Sequence, residues 1–319
     1  MKAVLIREFG PPAILRTEEV PRPEVSETGV LVRVRYSSVN PVDWKIRNGS
    51  LRLFYGAKFP MRLGFDIAGE VEETGPSVTR FGKGDRVFGM MGYRVRGAYA
   101  EYVCADESLL AVIPGNIGFD EAAAIPLAGL TAYQALQDKG EMKEHNSVLV
   151  NGASGGVGSF AVQIAKAAGC HVTAVCGTGN AEPVAALGAD RVIDYRKEDF
   201  AKMTAPYDII FDAVGVRTFF QVGRCLTKEG RYVTTLPNKP ADIAGFVLRP
   251  FLSLFGYEKR IRFVNVRPGG EDLRRLALLV EENKLSPLID RTYELKEIAA
   301  AHAYSETGRA KGKILIKVG

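Results

Sequence analysis

A glycine-rich segment is the part of this chain best suited to hold a phosphorylated ligand. Residues 151–160 read NGASGGVGSF. Glycines permit a sharp turn and let the backbone approach a diphosphate, and the N–H groups and dipole at a helix start favour an anion. The residues that we expect to contact a dinucleotide here are Gly152, Ser154, Gly155, Gly156, Val157 and Gly158.

The elements on either side of this turn are a strand and a helix. Residues 148–150 form an apolar run, and apolar side chains then recur from Val157 to Ala168 at the spacing of a packed helix face. A strand that enters a glycine-rich turn and then a helix is typical of a dinucleotide site. The spacing G-x-x-G-x-x-G differs from G-x-G-x-x-G, and a tight turn without a ligand is the alternative interpretation.

The residues after the next strand indicate which dinucleotide binds. That strand ends at Cys176, where an NADH site usually carries Asp or Glu, and no carboxylate follows until Glu182. Because an acid there would repel a 2′-phosphate, the sequence favours NADPH over NADH. The positive charge that a 2′-phosphate needs is expected from Arg196 or Lys197. The alternative interpretation of Tyr195 is an aromatic residue that caps the end of its strand. The expected contacts on this side are Gly177, Thr178, Asn180 and Tyr195.

Further candidates follow the carboxyl ends of later strands, where ligands bind open α/β sheets. Val214 and Gly215 follow YDIIFD, and Leu236 follows GRYVTT. Phe263 and Val264 either border the ligand pocket or belong to an edge strand.

Composition indicates an ordinary soluble protein of about two domains. The chain has 319 residues, 46% hydrophobic and 25% charged, with a net charge of +5 and no long basic run. The charge favours an anionic ligand without indicating nucleic acid. Four cysteines without a C-x-x-C pair are typical of reduced thiols in a cytoplasmic protein. The apolar segment 243–257 is interrupted by Arg249 and Pro250 and is too short for a membrane span. It is expected to be a flap, a pocket wall or a subunit contact, and the alternative is a membrane-surface patch.

The order of strand and helix patterns predicts an α/β protein with one domain inserted into another. Short strands punctuated by Gly and Pro occupy residues 1–120, which predicts an all-β module. Residues 121–266 alternate six strands with helices, which predicts a doubly wound parallel sheet. Residues 267–319 end in the strand GKILIKV and are expected to return to the first module.

These motifs together resemble the zinc-independent quinone oxidoreductase branch of the medium-chain dehydrogenase/reductase superfamily. The segments that carry the resemblance are SSVNPVDWKIRNG (37–49), GFDIAGEV (64–71), PLAGLTAYQAL (126–136), NGASGGVG, LGADRVIDY (187–195) and GRAKGKILI (308–316). NPVDWK looks like the NADPH-dependent alkenal, enone and quinone reductases. The resemblance implies a GroES-like β module with an inserted Rossmann domain, a cofactor in the cleft between them, and a homodimer.

The resemblance also implies site residues outside the glycine turn. Asn40 and Lys45 are expected at the nicotinamide end, where Lys45 can donate to the cofactor or to an oxyanion. Asp43 is expected to orient Lys45 or a ribose hydroxyl. The alternative for Lys45 is a solvated surface lysine, and the alternative for Asp43 is a carboxylate that only stabilises a turn. Thr131 is a candidate to reach the pyrophosphate or the nicotinamide ribose, and the alternative is a hydrogen bond to the backbone of its own helix. Gly312 and Lys313 are candidates to close the cofactor cleft, and the alternative is a turn into the last strand.

A catalytic zinc is not expected. The zinc-dependent branch carries a Gly-His-Glu segment, and the matching residues here are Gly64, Phe65 and Asp66. Phe65 has no donor atom, and none of the three histidines has ligand spacing with a cysteine. Asp66 is expected to be a structural carboxylate.

Three functions compete at this point. The first is hydride transfer from NADPH to a small-molecule quinone or to the C=C bond of an α,β-unsaturated carbonyl. The second is a non-catalytic NADPH-binding sensor or scaffold. The third, a zinc alcohol dehydrogenase, is disfavoured by Phe65.

Overall fold

The computed structural model describes residues 1–93, 97–204, 206–235 and 258–319. The chain divides into two compact units: Met1–Leu130 with Pro268–Gly319, and Thr131–Arg267. The second unit begins later than the sequence pattern suggests, because the helix at Phe119–Ala124 packs on the sheet of the first unit. Leu236 and the apolar segment 243–257 lie outside the described residues.

Sixteen strands are found in the described part of the chain. They are β1 Lys2–Ile6, β2 Arg16–Glu19, β3 Gly29–Val39, β4 Met61–Arg62, β5 Asp66–Thr74, β6 Arg86–Met90, β7 Tyr102–Asp106, β8 Leu110–Val112, β9 Ser147–Asn151, β10 His171–Cys176, β11 Arg191–Asp194, β12 Tyr207–Asp212, β13 Leu226–Thr234, β14 Arg260–Phe263, β15 Ile289–Glu294 and β16 Lys313–Lys317.

The α-helices of the described residues connect these strands. They are α1 Pro41–Arg47, α2 Arg52–Tyr55, α3 Phe119–Ala124, α4 Pro126–Gln134, α5 Gly156–Ala167, α6 Ala181–Ala186, α7 Phe219–Val222, α8 Gly270–Glu281 and α9 Ile298–Glu306. A π-helical turn, Ala135–Lys139, continues α4. Short 3₁₀ turns occur at Pro12–Ile14, Glu107–Leu109, Thr178–Asn180, Phe200–Lys202, Gly223–Cys225 and Leu295–Glu297.

The first unit is built on antiparallel β-structure. One sheet has the order β15-β16-β3-β5-β6-β8, with β7 also paired to β3, and a smaller sheet has the order β2-β1-β4. The last strand β16 pairs antiparallel with β3, matching Ile314 with Val39. The C-terminal segment therefore completes the first sheet, as the insertion topology predicts.

The second unit is a six-stranded parallel sheet in the order β11-β10-β9-β12-β13-β14. Its central strands β9 and β12 are buried almost throughout, with an apolar run in the middle of each, as expected for strands covered on both faces. The chain runs outward from β9 to β11 and then crosses back to β12. This reversal leaves a switch point at the carboxyl ends of β9 and β12, where open α/β sheets bind ligands. The predicted α/β fold with a doubly wound domain is confirmed.

Candidate active site

The glycine turn lies at the switch point of the parallel sheet, between β9 and α5. Gly152 has φ +84°, and a Cβ there would lie 2.3 Å from Cγ2 of Val214. A Cβ on Gly158 would lie 2.1 Å from the carbonyl oxygen of Gly152. Both positions therefore exclude a side chain. The glycine turn leads directly into the first turn of α5, whose backbone N–H groups have no acceptor within the helix.

Asp212, the last residue of β12, holds the neighbouring turn in place. Its Oδ1 accepts hydrogen bonds from the amides of Val214 (3.1 Å) and Gly215 (2.9 Å), and from Nδ2 of Asn151 (2.9 Å). Its Oδ2 accepts from the Tyr232 hydroxyl (3.0 Å). The carboxylate is fully buried. Asp212 thus fixes Val214 and Gly215 beside the glycine turn.

The turn that follows β10 is joined to the glycine turn by side chains. Nδ2 of Asn180 donates to Oγ of Ser154 at 3.1 Å. Two residues predicted from separate motifs are therefore neighbours in the fold. The hydroxyl of Thr178 donates to Oδ2 of Asp194 at 2.5 Å, which lowers the pKa of that carboxyl.

Tyr195 lies at the end of β11, beside Gly177. The residue is 57% exposed, and a Cβ on Gly177 would lie 3.4 Å from its ring. The guanidinium of Arg196 lies 5.9 Å from the ring centroid. An open groove of about 600 Å³ begins here and is lined by Arg191, Tyr195, Arg196, Lys197, Glu198, Asp199, Lys202 and Met203.

The charge of this groove is positive. Glu198 pairs with Arg191 at 3.1 Å, and Asp199 pairs with Arg217 at 2.8 Å. The cations that form no ion pair with any described residue are Arg196, Lys197 and Lys202. Sequence reasoning missed Asp194, the last residue of β11, which lies next to Thr178 although Thr178 follows a different strand, β10. The lack of an acid directly after β10 therefore does not by itself select a phosphorylated ribose.

The remaining candidates of the second unit are less accessible. Thr131 is 5% exposed in α4, and Val264 is 9% exposed. Phe263 packs against the apolar core of the unit. The backbone of Val264 extends the pairing of β14 with β13 by donating to the carbonyl of Thr234 at 3.0 Å. Phe263 and Val264 thus lie in or directly after β14, the edge strand of the parallel sheet.

A second group of predicted residues forms a buried polar network in the first unit. Oδ2 of Asp66 accepts hydrogen bonds from Ser38 (2.5 Å) and from Nδ2 of Asn40 (2.7 Å). The ammonium of Lys313 lies 3.3 Å from the same oxygen and 2.5 Å from Oδ1 of Asn40. Oδ1 of Asp66 accepts the amide of Leu127 at 2.8 Å. Asp66 is a structural carboxylate, as expected.

This network gives Asn40 and Lys313 structural contacts inside the first unit. Both side chains are at least 97% buried, and their polar atoms are bound to each other and to Asp66. Neither side chain is directed to solvent, so they position the start of α1 and of β16. Gly312 is required by the backbone: its φ is +102°, and a Cβ would lie 2.1 Å from the carbonyl oxygen of Leu288.

Lys45 is the available cation of helix α1. Its side chain is half-buried, its Nζ lies 5.5 Å from the centroid of the Trp44 ring, and it makes no hydrogen bond or ion pair to any described residue. Burial lowers the pKa of its ammonium group. An unpaired ammonium on an otherwise fixed helix is suited to receive a negative charge.

The carboxylate of Asp43 contacts the start of its own helix rather than Lys45. Asp43 is the third residue of α1, completely buried, and its Oδ2 accepts the backbone N–H of Asn40 at 2.7 Å. It caps the helix that Pro41 begins. Burial, together with the negative charge of Asp66, raises the pKa of Asp43 to about 7. Asp43 and Lys45 are two positions apart and face different sides of the helix.

Sequence reasoning missed one buried carboxylate and one buried imidazole. Asp212 organises the cofactor-side turn, and His302 is completely buried in α9. A strand that ends in Asp and is followed by Ala-Val-Gly is a signal that could have identified Asp212. No spacing in the sequence signals His302.

The position of a zinc ligand in the zinc-dependent branch is filled by an aromatic ring. Phe65 is fully buried and meets Tyr93 edge-on, with ring centroids 5.7 Å apart. Within the described residues, no group of three His, Cys, Asp or Glu side chains is placed to hold a metal ion. A helix of the length and apolar character needed to cross a bilayer is likewise not found in the described ranges.

Two family models match this chain. Residues 26–115 match the alcohol dehydrogenase GroES-like domain, and residues 187–316 match a family described as zinc-binding dehydrogenase. These ranges fall on the antiparallel module and on the segment from the parallel sheet to the last strand.

Relatives of known name align over nearly the whole chain. A chloroplast envelope quinone oxidoreductase homolog of Arabidopsis thaliana is 36% identical over 99% of this chain and 98% of its own length. An NADPH-dependent alkenal/one oxidoreductase of the same plant is 34% identical over 99% of this chain and 79% of its own length. Among solved structures, the quinone oxidoreductase from Coxiella burnetii superposes with a TM-score of 0.87 at 36% identity, covering 100% of this chain and 99% of that one.

Proposed function

Since the chain belongs to the quinone oxidoreductase branch of the medium-chain dehydrogenase/reductase superfamily, we propose that it is an NADPH-dependent reductase. Its acceptor is a quinone or the C=C bond of an α,β-unsaturated carbonyl. The observation that carries the proposal is the side-chain-free turn of Gly152 and Gly158 at the switch point of the parallel sheet. The names of the relatives support both acceptor classes.

The residues of the second unit fit a dinucleotide. The turn offers backbone N–H groups at the start of α5 and leaves no side chain to obstruct a diphosphate. Gly177, Thr178 and Asn180 continue this surface through the bond from Asn180 to Ser154. Asp212 fixes Val214 and Gly215 next to it. When bound, the dinucleotide supplies a hydride to the acceptor.

We assign the preference for NADPH to the basic groove beside Tyr195. A 2′-phosphate carries negative charge. Arg196 and Lys197 lie near the carboxylate of Asp194, but neither forms an ion pair within contact distance of it or of any other described carboxylate. Tyr195 is exposed and offers both its ring and its hydroxyl. The carboxylate of Asp194 is already engaged by Thr178 and by the amide of Arg196 (3.0 Å), which limits its repulsion of a phosphate.

Lys45 is the residue to which we assign stabilisation of the charge that develops on the acceptor. Hydride arrival leaves negative charge on an oxygen, and a half-buried ammonium stabilises such a charge more than a solvated one does. Asn40 and Asp43 contribute by fixing the start of the helix that carries Lys45. The enolate or hydroquinone anion then takes its proton from water. The chemistry proposed here uses no zinc.

We also propose that the protein is cytoplasmic, has reduced cysteines and acts as a homodimer. Four free cysteines, three of them buried, support a reducing compartment. The dimer rests on the family alone, and light scattering of the purified protein tests it.

The experiment that tests the proposed function combines binding and turnover. Calorimetry with NADPH and NADH is followed by assays of NADPH oxidation with quinones, alkenals and alkenones. We expect binding of NADPH in preference to NADH and turnover with at least one acceptor class. Binding without turnover for every acceptor would contradict the reductase and favour a sensor or scaffold.

Two lysine substitutions, one at the proposed site and one control, test the role of Lys45. Lys45→Ala is expected to lower kcat about 10²-fold or more, the scale of losing one stabilising donor, with NADPH affinity largely retained. The matched control is Lys83→Ala, since Lys83 is an exposed lysine of the same unit. Equal turnover of the two variants would remove Lys45 from the reaction.

A further inference from the structure

A buried polar cluster lies in the first unit, and only one of its members, Asp43, supports the proposed hydride transfer, by capping the helix that carries Lys45. Asp43 and Arg47 lie on α1, Tyr99 precedes β7, and His302 lies on α9. None of the four is more than 1% exposed. We call this group the Asp43 cluster.

The members of the cluster lie close together. Asp43 and Arg47 are four positions apart on α1 and therefore share a face. The rings of Tyr99 and His302 meet edge-on, with centroids 5.6 Å apart. Nη2 of Arg47 pairs with Glu306, which is one helical turn beyond His302 on α9. Burial, together with the nearby charge of Arg47, lowers the pKa of His302 to about 3.

Several polar atoms of the cluster have no hydrogen-bond partner in the described part of the chain. They are Oδ1 of Asp43, Nε and Nη1 of Arg47, and both ring nitrogens of His302. Buried polar atoms are almost always satisfied by protein or by ordered water. An arginine only donates, an ionised carboxylate only accepts, and a neutral imidazole does one of each. Water does both, so it can connect all three.

The charges around Asp43 leave it without a counter-ion. Lys313 from β16 is paired with Asp66 from β5 at 3.3 Å, and Arg47 is paired with Glu306. Tyr99 is neutral, because burial, together with the charge of Asp43, raises its pKa far above the usual range; its hydroxyl is a hydrogen-bond partner of the Asp43 carboxyl but brings no positive charge. An unpaired carboxylate in a buried site is costly, and binding a proton removes that cost.

We propose that Asp43, Arg47 and His302 enclose an internal water site, and that Oδ1 of Asp43 holds an exchangeable proton which it donates to this water. The bound water accepts from Arg47 and donates to the acceptor nitrogen of His302. Oδ2 of Asp43 keeps its hydrogen bond from the Asn40 amide in either protonation state, so α1 stays capped. This site does not depend on the reductase activity.

Infrared difference spectroscopy of the full chain tests where the proton is. Below pH 7 we expect a carbonyl band of a protonated carboxyl group, which shifts in D₂O and decreases as the pH rises through about 7. Asp43→Asn removes this band, whereas Asp85→Asn, which changes an exposed carboxylate, retains it. A spectrum of Asp43→Asn that matches the wild type in this region would overturn the proposal.

Neutron diffraction of the wild-type protein gives an answer that does not depend on a variant folding. At a pH below 7 we expect a deuteron on Oδ1 of Asp43 and an ordered water within hydrogen-bond distance of Oδ1, Arg47 and His302. An ionised Asp43, or an empty space between these three side chains, would refute the site.

Discussion

Gly158 and Gly152 illustrate how a single missing Cβ defines the cofactor side of this protein. The Gly152 carbonyl oxygen occupies the place that a side chain on Gly158 would need. Because that oxygen belongs to the backbone, it cannot move aside as a flexible side chain does. The helix α5 can start where it does only because residue 158 is glycine.

Gly158→Ala is therefore expected to destabilise the protein by about 1–3 kcal/mol, the cost of overpacking, and to weaken NADPH binding. Thermal unfolding without cofactor and calorimetry with it measure the two effects. Gly179→Ala is the control, since a Cβ there meets nothing within 4 Å. If both variants unfold at the wild-type temperature, the contact between Gly158 and Gly152 does not constrain the turn.

Lys45 predicts a pH dependence of turnover. Its pKa is lowered by burial, so it loses its charge at a lower pH than an ordinary lysine, and activity that needs the charge falls as the pH rises. Arginine stays charged at every accessible pH. In the pH profile of kcat, the alkaline limb of Lys45→Arg is expected at higher pH than in the wild type. The control Lys83→Arg keeps the wild-type limb, and an unshifted limb in Lys45→Arg would contradict the assignment.

Among the elements, β12 carries a buried or partly buried carboxylate at each end, and only one end concerns the cofactor. Asp212 at the carboxyl end accepts the amides of Val214 and Gly215. Asp208, near the amino end, accepts the amide of Ser147 (2.9 Å) and the hydroxyl of Thr227 (3.2 Å). The strand thus supplies a matched pair of hydrogen-bonding carboxylates on opposite edges of the sheet.

Asp212→Asn is expected to cost about 1–3 kcal/mol of stability and to reduce NADPH affinity. Asn keeps only one acceptor oxygen, and its NH2 group then faces backbone N–H donors, those of Val214 and Gly215 or that of Arg217. Asp208→Asn is expected to lower stability similarly and to leave the affinity unchanged. Denaturant unfolding and calorimetry separate the two variants. Equal loss of affinity in both would mean that the turn after β12 has no special role in binding.

At the scale of the whole molecule, the first unit encloses charged and polar groups that make its stability depend on pH. His302 has a folded pKa of about 3, against an ordinary value of 6.5. The unfolded chain therefore takes up a proton first as the pH falls, and stability is lost from about pH 6.5 down to about 3. The raised pKa of Asp43 acts in the opposite direction, because the folded state then binds the proton more tightly.

His302→Gln is expected to remove an acid-induced loss on the order of 3–5 kcal/mol between these pH limits. Chemical unfolding measured across that pH range tests this prediction. His171→Gln is the control, since His171 is exposed at the start of β10. The prediction is wrong if the stability of His302→Gln falls with pH as steeply as that of the control.

Local patterns in the sequence determined the fold class and the cofactor turn. The run before Gly152 and the helical spacing after it depend only on neighbouring residues, and the structure places a strand and a helix there. The sequence also identified Phe65 in place of a histidine. These features could be predicted because each is encoded within a few consecutive residues.

Tertiary structure alone decided how distant residues combine. Asn40 and Lys313 are 273 positions apart, yet the pairing of β3 with β16 joins their side chains and removes Lys313 from the set of exposed cations. Asp194 reaches Thr178 only because β11 lies beside β10. Burial and counter-ions depend on every element that packs around a residue. The raised pKa of Asp43 and the lowered pKa of His302 therefore could not be deduced from their places in the sequence.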